Sequence, residues 1–155
     1  MKRHWYYDSP VGKLGVVEED EKLIELFFDN GVEVKDSVLE EGGIIKETGK
    51  QLEEYFSKKR KKFDIPMSLK GTAFQKSCWD ELCKIEYGST CCYQDIAIAI
   101  GNPKAVRAVG MSNNRNPIVI VVPCHRVVGK NGSLVGFGGG LPTKSFLLEL
   151  EQKVK

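Results

Sequence analysis

The sequence predicts an α+β fold in two lobes, a sheet-and-helix lobe over residues 1–70 and a mainly helical lobe over residues 71–155. Short runs rich in β-branched and aromatic residues, separated by turn residues, fill the first third of the chain. Helical spacing of apolar residues prevails in the second half, and Asp64–Gly71, with its proline and glycine, is typical of a linker. A 155-residue chain that is 41% hydrophobic can bury a core of its own.

The N-terminal lobe is predicted to form a small antiparallel sheet followed by one helix. The strand runs and the acidic turn between the last two are Arg3–Tyr7, Leu14–Val17, Leu23–Phe28 and Glu18–Glu21. The helix ends at the basic run Lys58–Lys62, which we interpret as a solvated helix end, with a nucleic-acid patch as the alternative. The apolar positions that indicate the helix are Ile45, Leu52, Tyr55 and Phe56.

The C-terminal lobe is predicted to open with a capped helix. Thr72–Gln75 has the capping-box pattern, in which a threonine and a glutamine three residues later satisfy each other's backbone N–H groups. Phe74, Cys78 and Leu82 then fall on one helical face. We therefore expect Cys78 to pack in the core and not to act as a reactive thiol.

Two short helices are predicted next. Gln94–Ile100 is apolar and Gly101 ends it, while Asn102-Pro103 supplies an N-cap and a first-turn proline for a second helix to about Asn113. Short helices joined by a tight turn that contains glycine are typical of a helix-turn-helix motif. Helical hairpins of this kind that bind nothing are also common, so the pattern alone leaves DNA binding open.

A buried strand and a last helix complete the lobe. The β-branched run Pro117–Val122, bounded by prolines, predicts the strand, which delivers a Pro-Cys-His-Arg segment to its end. Val127–Val128 and Leu134–Val135 flank an Asn-Gly pair and predict a hairpin. A glycine-rich loop then leads to a helix opened by Pro142.

Charge is unevenly divided between the lobes. Residues 1–70 carry 13 Lys/Arg and 15 Asp/Glu, or −2, and residues 71–155 carry 10 and 6, or +4. Within residues 87–148 a single acid, Asp95, stands against six cations, so an anionic partner is plausible, although a solvated surface would look the same. The cations are Lys104, Arg107, Arg115, Arg126, Lys130 and Lys144.

The cysteine count and the hydropathy exclude several classes of protein. Five cysteines without a C-x-x-C motif, and two histidines, favour neither a disulfide framework nor a zinc site, so we expect no metal and no cofactor. No apolar stretch is long enough for a bilayer, and the N-terminus lacks a signal-peptide core. We therefore expect a soluble intracellular protein.

Cys124 is the candidate nucleophile. It follows the predicted strand, precedes His125 and lies two residues before Arg126, a setting that can lower a thiol pKa from about 8.5 and increase the thiolate fraction. A merely buried cysteine beside a histidine remains the alternative, and spacing alone does not choose between them.

The motifs of residues 72–152 resemble the O6-alkylguanine-DNA alkyltransferase family. Pro123–Val127, in one-letter code PCHRV, is similar to its active-site signature, and Asn102–Gly110 to its recognition-helix segment. Arg115–Pro117 lies at the expected distance before the cysteine, and Gly138–Leu141 resembles the loop after it. The resemblance implies a ribonuclease H-like N-terminal lobe and single-turnover repair of O6-alkylguanine, with O4-alkylthymine as a further substrate to be tested.

The resemblance also implies roles for five residues. Cys124 takes the alkyl group and keeps it as a thioether, which water cannot hydrolyse. His125, reached through a water because neighbours on an extended chain point in opposite directions, takes the thiol proton. Glu151 holds the imidazole and stabilises its charged form. Asn116 fixes the active-site turn, and Tyr93 hydrogen-bonds the leaving base.

The implied partner is double-stranded DNA containing an alkylated guanine, bound through its minor groove by a monomer. Arg107 fills the space that the extruded nucleotide leaves, and small residues on the same helix allow close approach. The implied DNA contacts are Lys104, Ala105, Arg107, Ala108, Gly110, Arg115 and Tyr93.

The implied pocket for the flipped base is glycine-rich, because side chains would obstruct it. Two positions depart from the family pattern: Phe137 stands where many relatives have tyrosine, and Gly138 where some have serine. A non-catalytic relative that binds alkylated DNA and a helix-turn-helix regulator are the alternative functions. The pocket residues are Val135, Phe137, Gly138, Gly139 and Gly140.

Overall fold

The computed structural model describes residues 1–134 and 139–152, which belong to two compact units, Met1–Lys70 and Gly71–Lys155. Helices and short strands are mixed along the chain, as the predicted α+β class requires. Within the described ranges, no helix combines the length and apolar character needed to cross a bilayer. Each unit is built around its own sheet and helices.

The first unit contains a four-stranded sheet and one helix. The sheet order is β3-β2-β1-β4, with antiparallel β1–β2 and β2–β3 pairs. Asp20 and Glu21, both with positive φ, form the two-residue turn between β2 and β3, the conformation that matches strand twist in hairpins. The elements are β1 (Arg3–Tyr7), β2 (Leu14–Glu19), β3 (Lys22–Phe28), β4 (Val38–Leu39) and α1 (Gly43–Phe56).

The predicted all-antiparallel sheet is wrong at one edge, because β4 pairs with β1 in parallel. Both β4 residues are exposed, so no apolar alternation marks them as a strand. The predicted helix is confirmed as α1, and Glu18 of β2 accepts a hydrogen bond from the Ile45 backbone N–H at 3.0 Å. The predicted linker Asp64–Gly71 is partly tied to the sheet, since Leu23 bonds the backbones of Pro66 and Ser68.

The second unit begins with the predicted capped helix. The Thr72 hydroxyl accepts from the Gln75 backbone N–H at 3.1 Å, and the Gln75 side chain accepts from the Thr72 N–H at 2.9 Å. Cys78, on the inner face, is buried as predicted. The elements are α2 (Ala73–Leu82), β5 (Cys91–Cys92), α3 (Tyr93–Ala99), α4 (Val106–Asn114), β6 (Val127–Val128) and α5 (Leu141–Gln152).

The two short helices are α3 and α4, and the predicted start of the second is wrong. Asn102-Pro103 is not its N-terminus, because the Ala105 N–H donates to the Asn102 carbonyl and closes a turn. The Gln94 side chain donates to the Pro103 carbonyl at 2.9 Å and holds this turn against α3. Helix α4 therefore begins at Val106, and the connection includes Gly101 at a positive φ that favours glycine.

The predicted strand over Pro117–Val122 is also wrong. Its alternating burial is present, but the segment folds back on itself: the Val122 N–H donates to the Ile118 carbonyl, and Ile120 has a φ of 70°. Val127–Val128 pairs in parallel with Cys91–Cys92, and the Gly129 N–H donates to the Ser133 carbonyl across a turn that contains the Asn-Gly pair. Leu134 is in no strand, and Val135 lies outside the described residues.

Candidate active site

Cys124 lies at the start of a single turn of 3₁₀ helix, Cys124–Arg126, directly after the folded-back segment. Asn116 closes that segment from both ends: its Nδ2 donates to the Val122 carbonyl at 2.7 Å, and its Oδ1 accepts from the Ile118 N–H at 3.0 Å. The Cys124 side chain is buried, with 2% of its surface exposed. The cysteine is therefore held by a side-chain-braced turn and not by the end of a strand.

Burial raises the pKa of Cys124 to about 11, and hydrogen bonding from Asn116 and the positive charge of Lys144 oppose that rise. The expectation of a lowered thiol pKa is wrong for the protein alone, because desolvation of the thiolate exceeds these favourable terms. His125 and Arg126 do not supply the expected effect. The resting thiol is therefore protonated at neutral pH.

His125 is fully buried and bonds Glu151 of α5, with 2.6 Å between Nε2 and Oε2. The pKa of His125 is lowered by burial, which outweighs the raising effect of Glu151, so the resting imidazole is neutral, while Glu151 favours its charged form. A neutral ring bonded to a carboxylate carries its proton on Nε2. The Nδ1 atom, which has no partner among the described residues, is then a proton acceptor.

Arg126 completes a buried, hydrogen-bonded triad with His125 and Glu151. Its Nε donates to Oε1 at 2.9 Å and its Nη2 to Oε2 at 3.1 Å, while Nη1 donates to the Ile85 carbonyl at 2.7 Å. Burial alone would raise the pKa of Glu151, but the bonds from His125 and Arg126 outweigh it and hold the pKa at about 2. Glu151 is therefore ionised at neutral pH.

Tyr93, the first residue of α3, lies between α4 and α5. A Cβ placed on Gly110 would lie 4.0 Å from two carbons of the phenol ring, and the Lys144 ammonium is 6.0 Å from the ring centroid. Burial raises the pKa of Tyr93, as does the nearby Cys124 sulfur, whereas a hydrogen bond from Asn113 lowers it. The hydroxyl is thus protonated and close to the cysteine.

Helix α4 and the turn before it present the exposed cations. Lys104, Arg107 and Arg115 are exposed, as is Ala108, and Ala105 and Gly110 are half-buried. None of these three cations makes an ion pair within the described part of the chain. Gly110 faces Tyr93 and so belongs to the inner side of the helix.

Two of the six predicted surface cations are not on the surface. Arg126 is buried in an ion pair with Glu151, and Lys144 is fully buried beside Cys124 and Tyr93. Their burial removes them from the set that can face an anionic partner. Of the predicted pocket residues, Gly139 and Gly140 are half-buried before α5. Val135, Phe137 and Gly138 lie outside the described residues.

Sequence reasoning missed Lys144 and Asn113 as members of the site. Lys144 precedes Leu147 and Glu151 at helical spacing, and all three are buried on one face of α5. Asn113 follows the buried Val109 at the same spacing on α4. This periodicity was available in the sequence, but polar residues on an inner face are not marked as functional until their neighbours are known.

Comparison with known proteins gives two family matches that cover nearly all of the chain. Residues 2–69 match the family described as 6-O-methylguanine DNA methyltransferase, ribonuclease-like domain. Residues 73–153 match 6-O-methylguanine DNA methyltransferase, DNA binding domain. The two matches follow each other in the order of the two units.

Individual relatives match over more than nine-tenths of both chains. A methylated-DNA–protein-cysteine methyltransferase of Methanosarcina acetivorans is 49% identical over 148 residues, which are 94% of this chain and 95% of that protein. The constitutive enzyme of that name from Bacillus subtilis is 44% identical over 152 residues, 94% and 92% of the two chains. The crystal structure of Mycobacterium tuberculosis OGT in complex with DNA aligns with a TM-score of 0.93 at 39% identity, over 98% of this chain and 94% of that one.

Proposed function

The chain belongs to the 6-O-methylguanine DNA methyltransferase family, and from that premise we propose that it repairs DNA by moving the alkyl group of O6-alkylguanine onto Cys124. The observation that carries the assignment of the site is a buried cysteine next to a neutral histidine whose other nitrogen is committed to a carboxylate. That arrangement offers a nucleophile and a proton acceptor in one turn of the chain.

The proton path follows from the tautomer. Glu151 holds the His125 proton on Nε2, so Nδ1 accepts the Cys124 thiol proton through one water molecule. The imidazolium formed is stabilised by the ionised Glu151, while Lys144 stabilises the thiolate. Arg126 holds Glu151 in place with two hydrogen bonds, one to each carboxylate oxygen.

The transfer is a displacement at saturated carbon. The Cys124 sulfur forms a bond to the alkyl carbon as the bond from that carbon to O6 breaks, and the electron pair leaves with the guanine. Tyr93 donates a hydrogen bond to the departing base and stabilises its charge. The thioether product has no carbonyl for water to attack, so each molecule acts once.

Access to a buried sulfur requires the damaged nucleotide to leave the duplex, which costs a few kcal/mol. Arg107, exposed on α4, fills the vacated space, and Lys104 and Arg115 bind phosphates. The small Ala108 lets α4 enter the minor groove. We expect a monomer that acts in the cytoplasm, or in the nucleus if the source is eukaryotic.

The test is a pair of cysteine variants. Cys124→Ala is expected to abolish transfer from DNA containing O6-methylguanine while DNA affinity stays within about twofold, since the sulfur makes no phosphate contact. Cys78→Ala, at an equally buried cysteine of α2, is the matched control and is expected to transfer normally. Transfer by Cys124→Ala, or loss of DNA binding along with transfer, contradicts the assignment.

A further inference from the structure

Met111 is a large apolar side chain on the outer face of helix α4. It has 55% of its surface exposed, although methionine is a residue type that folded proteins tend to bury. The inner face of the same helix is formed by the buried residues Val109, Ser112 and Asn113. A single exposed apolar residue is common on protein surfaces, so the surroundings of Met111 decide its meaning.

Two cations flank Met111 on the same face. Arg107 precedes it by four residues and Arg115 follows it by four, and residues four apart on a helix lie one above the other. With a rise of about 1.5 Å per residue, each arginine lies about 6 Å from Met111 along the helix axis. Both arginines are exposed, and neither makes an ion pair within the described ranges of the chain. Met111 is thus the apolar centre of a stripe with a positive charge at each end.

A groove of about 200 Å³ lies beside this stripe, between α4 and the start of α2. Ala108 and Met111 line it from α4, and the half-buried Phe74 lines it from α2. Arg115 lies at the same groove, so carbon surface and a positive charge are next to each other. The deoxyribose-phosphate backbone of DNA has the matching chemistry, because its sugar carbons adjoin a negative phosphate.

A second exposed apolar side chain, Ile98 of α3, has the opposite surroundings. Ile98 is 58% exposed, and Asp95 precedes it by three residues on the same face. The Cys92 backbone N–H donates to the Asp95 carboxylate at 2.9 Å and lowers its pKa, so Asp95 is ionised at neutral pH. A carboxylate beside Ile98 repels DNA phosphates, whereas the arginines beside Met111 attract them. Charge therefore matches the surface around Met111, and not that around Ile98, to DNA.

We propose that Met111 is an apolar DNA contact, which packs against deoxyribose carbons in the minor groove between Arg107 and the phosphate bound by Arg115. The proposal rests on the proposed function, because it needs α4 to enter the minor groove. Methionine is among the apolar residues that proteins insert into the minor groove. Burying the exposed part of Met111 adds affinity that is independent of salt, since an apolar contact releases no counterion.

Binding to an undamaged duplex at several salt concentrations tests the contact. Met111→Ala is expected to weaken binding about fivefold, the loss for the exposed half of a methionine side chain, and to leave the slope of log association constant against log salt concentration unchanged. Arg115→Ala is expected to reduce that slope by about one phosphate contact. Met111→Leu, which stays apolar, is expected to bind within about twofold of wild type. Wild-type affinity in Met111→Ala, or a slope reduced as in Arg115→Ala, overturns the proposal.

Ile98→Ala is the matched control, because it removes an equally exposed apolar side chain that has an acid beside it. It is expected to bind the duplex as the wild type does, and a loss equal to that of Met111→Ala overturns the proposal. Met111→Ala is expected to slow repair of duplex lesions at low DNA concentration but not the reaction with the free modified base. Equal slowing of both reactions shows a packing role and also overturns the proposal.

Analytical ultracentrifugation tests a second copy of the chain as the occupant of this face. We expect wild type and Met111→Ala to be monomers. A wild-type dimer that Met111→Ala dissociates, with unchanged DNA affinity, overturns the proposal. Absence of methyl transfer from damaged DNA contradicts the proposed function instead, and duplex binding by Met111→Ala still decides the contact.

Discussion

Replacing Glu151 with glutamine removes the one negative charge shared by two buried partners, Arg126 and His125. The glutamine fits the same space, but Arg126 stays buried without its counter-charge. Breaking a buried pair in this way costs about 3–5 kcal/mol of unfolding free energy. Linkage gives a similar value, since a pKa of about 2 in place of the ordinary 4.5 corresponds to about 3 kcal/mol.

The sign of the pH dependence follows from the lowered pKa. The carboxylate of Glu151 contributes its full stability above about pH 4.5 and loses it as the pH falls through about 2. The difference between wild type and Glu151→Gln is therefore largest at pH 7 and smaller by about 2 kcal/mol at pH 3. The lowered pKa of His125 also destabilises the wild type in acid, because the unfolded chain takes up a proton below about pH 6.5.

Urea unfolding of the full chain measures this difference in the second unit. The two tryptophans are Trp5 in the first unit and Trp79 in the second, so Trp79 fluorescence in a Trp5→Phe background reports the second unit. Glu149→Gln, at an exposed position of the same helix, is the matched control and should change stability by less than about 0.5 kcal/mol. Stability of Glu151→Gln within about 1 kcal/mol of wild type at pH 7 refutes the reasoning.

Three further outcomes are expected. Arg107→Ala slows repair of duplex lesions more than reaction with the free modified base, measured by stopped-flow, and an equal effect on both removes its role in base extrusion. Lys144→Met raises the pKa of Cys124 further and slows transfer to the free base about tenfold at pH 8, while an unchanged rate shows that the Lys144 charge is irrelevant. Lys104→Ala lowers the slope of log association constant for DNA against log salt concentration by the amount expected for about one lost phosphate contact. Lys84→Ala, on the loop after α2, is the control and leaves this slope unchanged.

Much of the fold was predictable because it depends on local patterns. The capping box at Thr72 and the apolar periodicity of α1 fix helix positions without reference to distant residues. The run Pro117–Val122 has the composition and alternation of a strand, yet it forms none. A strand needs a partner, and here the Asn116 side chain supplies the hydrogen bonds that a neighbouring strand would have given.

The identities of the site residues were predictable from the sequence motif, but the properties that depend on their neighbours in the fold were not. Cys124 and His125 were identified from the PCHRV segment, but their pKa values depend on burial, which adjacency in sequence does not reveal. Arg126 was counted among the cations that could face an anionic partner, and this failed for the same reason, since Glu151 reaches it from α5, 25 residues away. Asn113 could be recognised as part of the site only from the Cys124 carbonyl to which it donates.

The most direct measurement is the mass of the Cys124 tryptic peptide after the protein is mixed with excess DNA containing O6-methylguanine. One added methyl group on that peptide, at no more than one equivalent per protein molecule and with the other four cysteines unmodified, is the predicted result. Methyl loss from DNA beyond one equivalent, or a methyl group on any other residue, contradicts single-turnover transfer to Cys124.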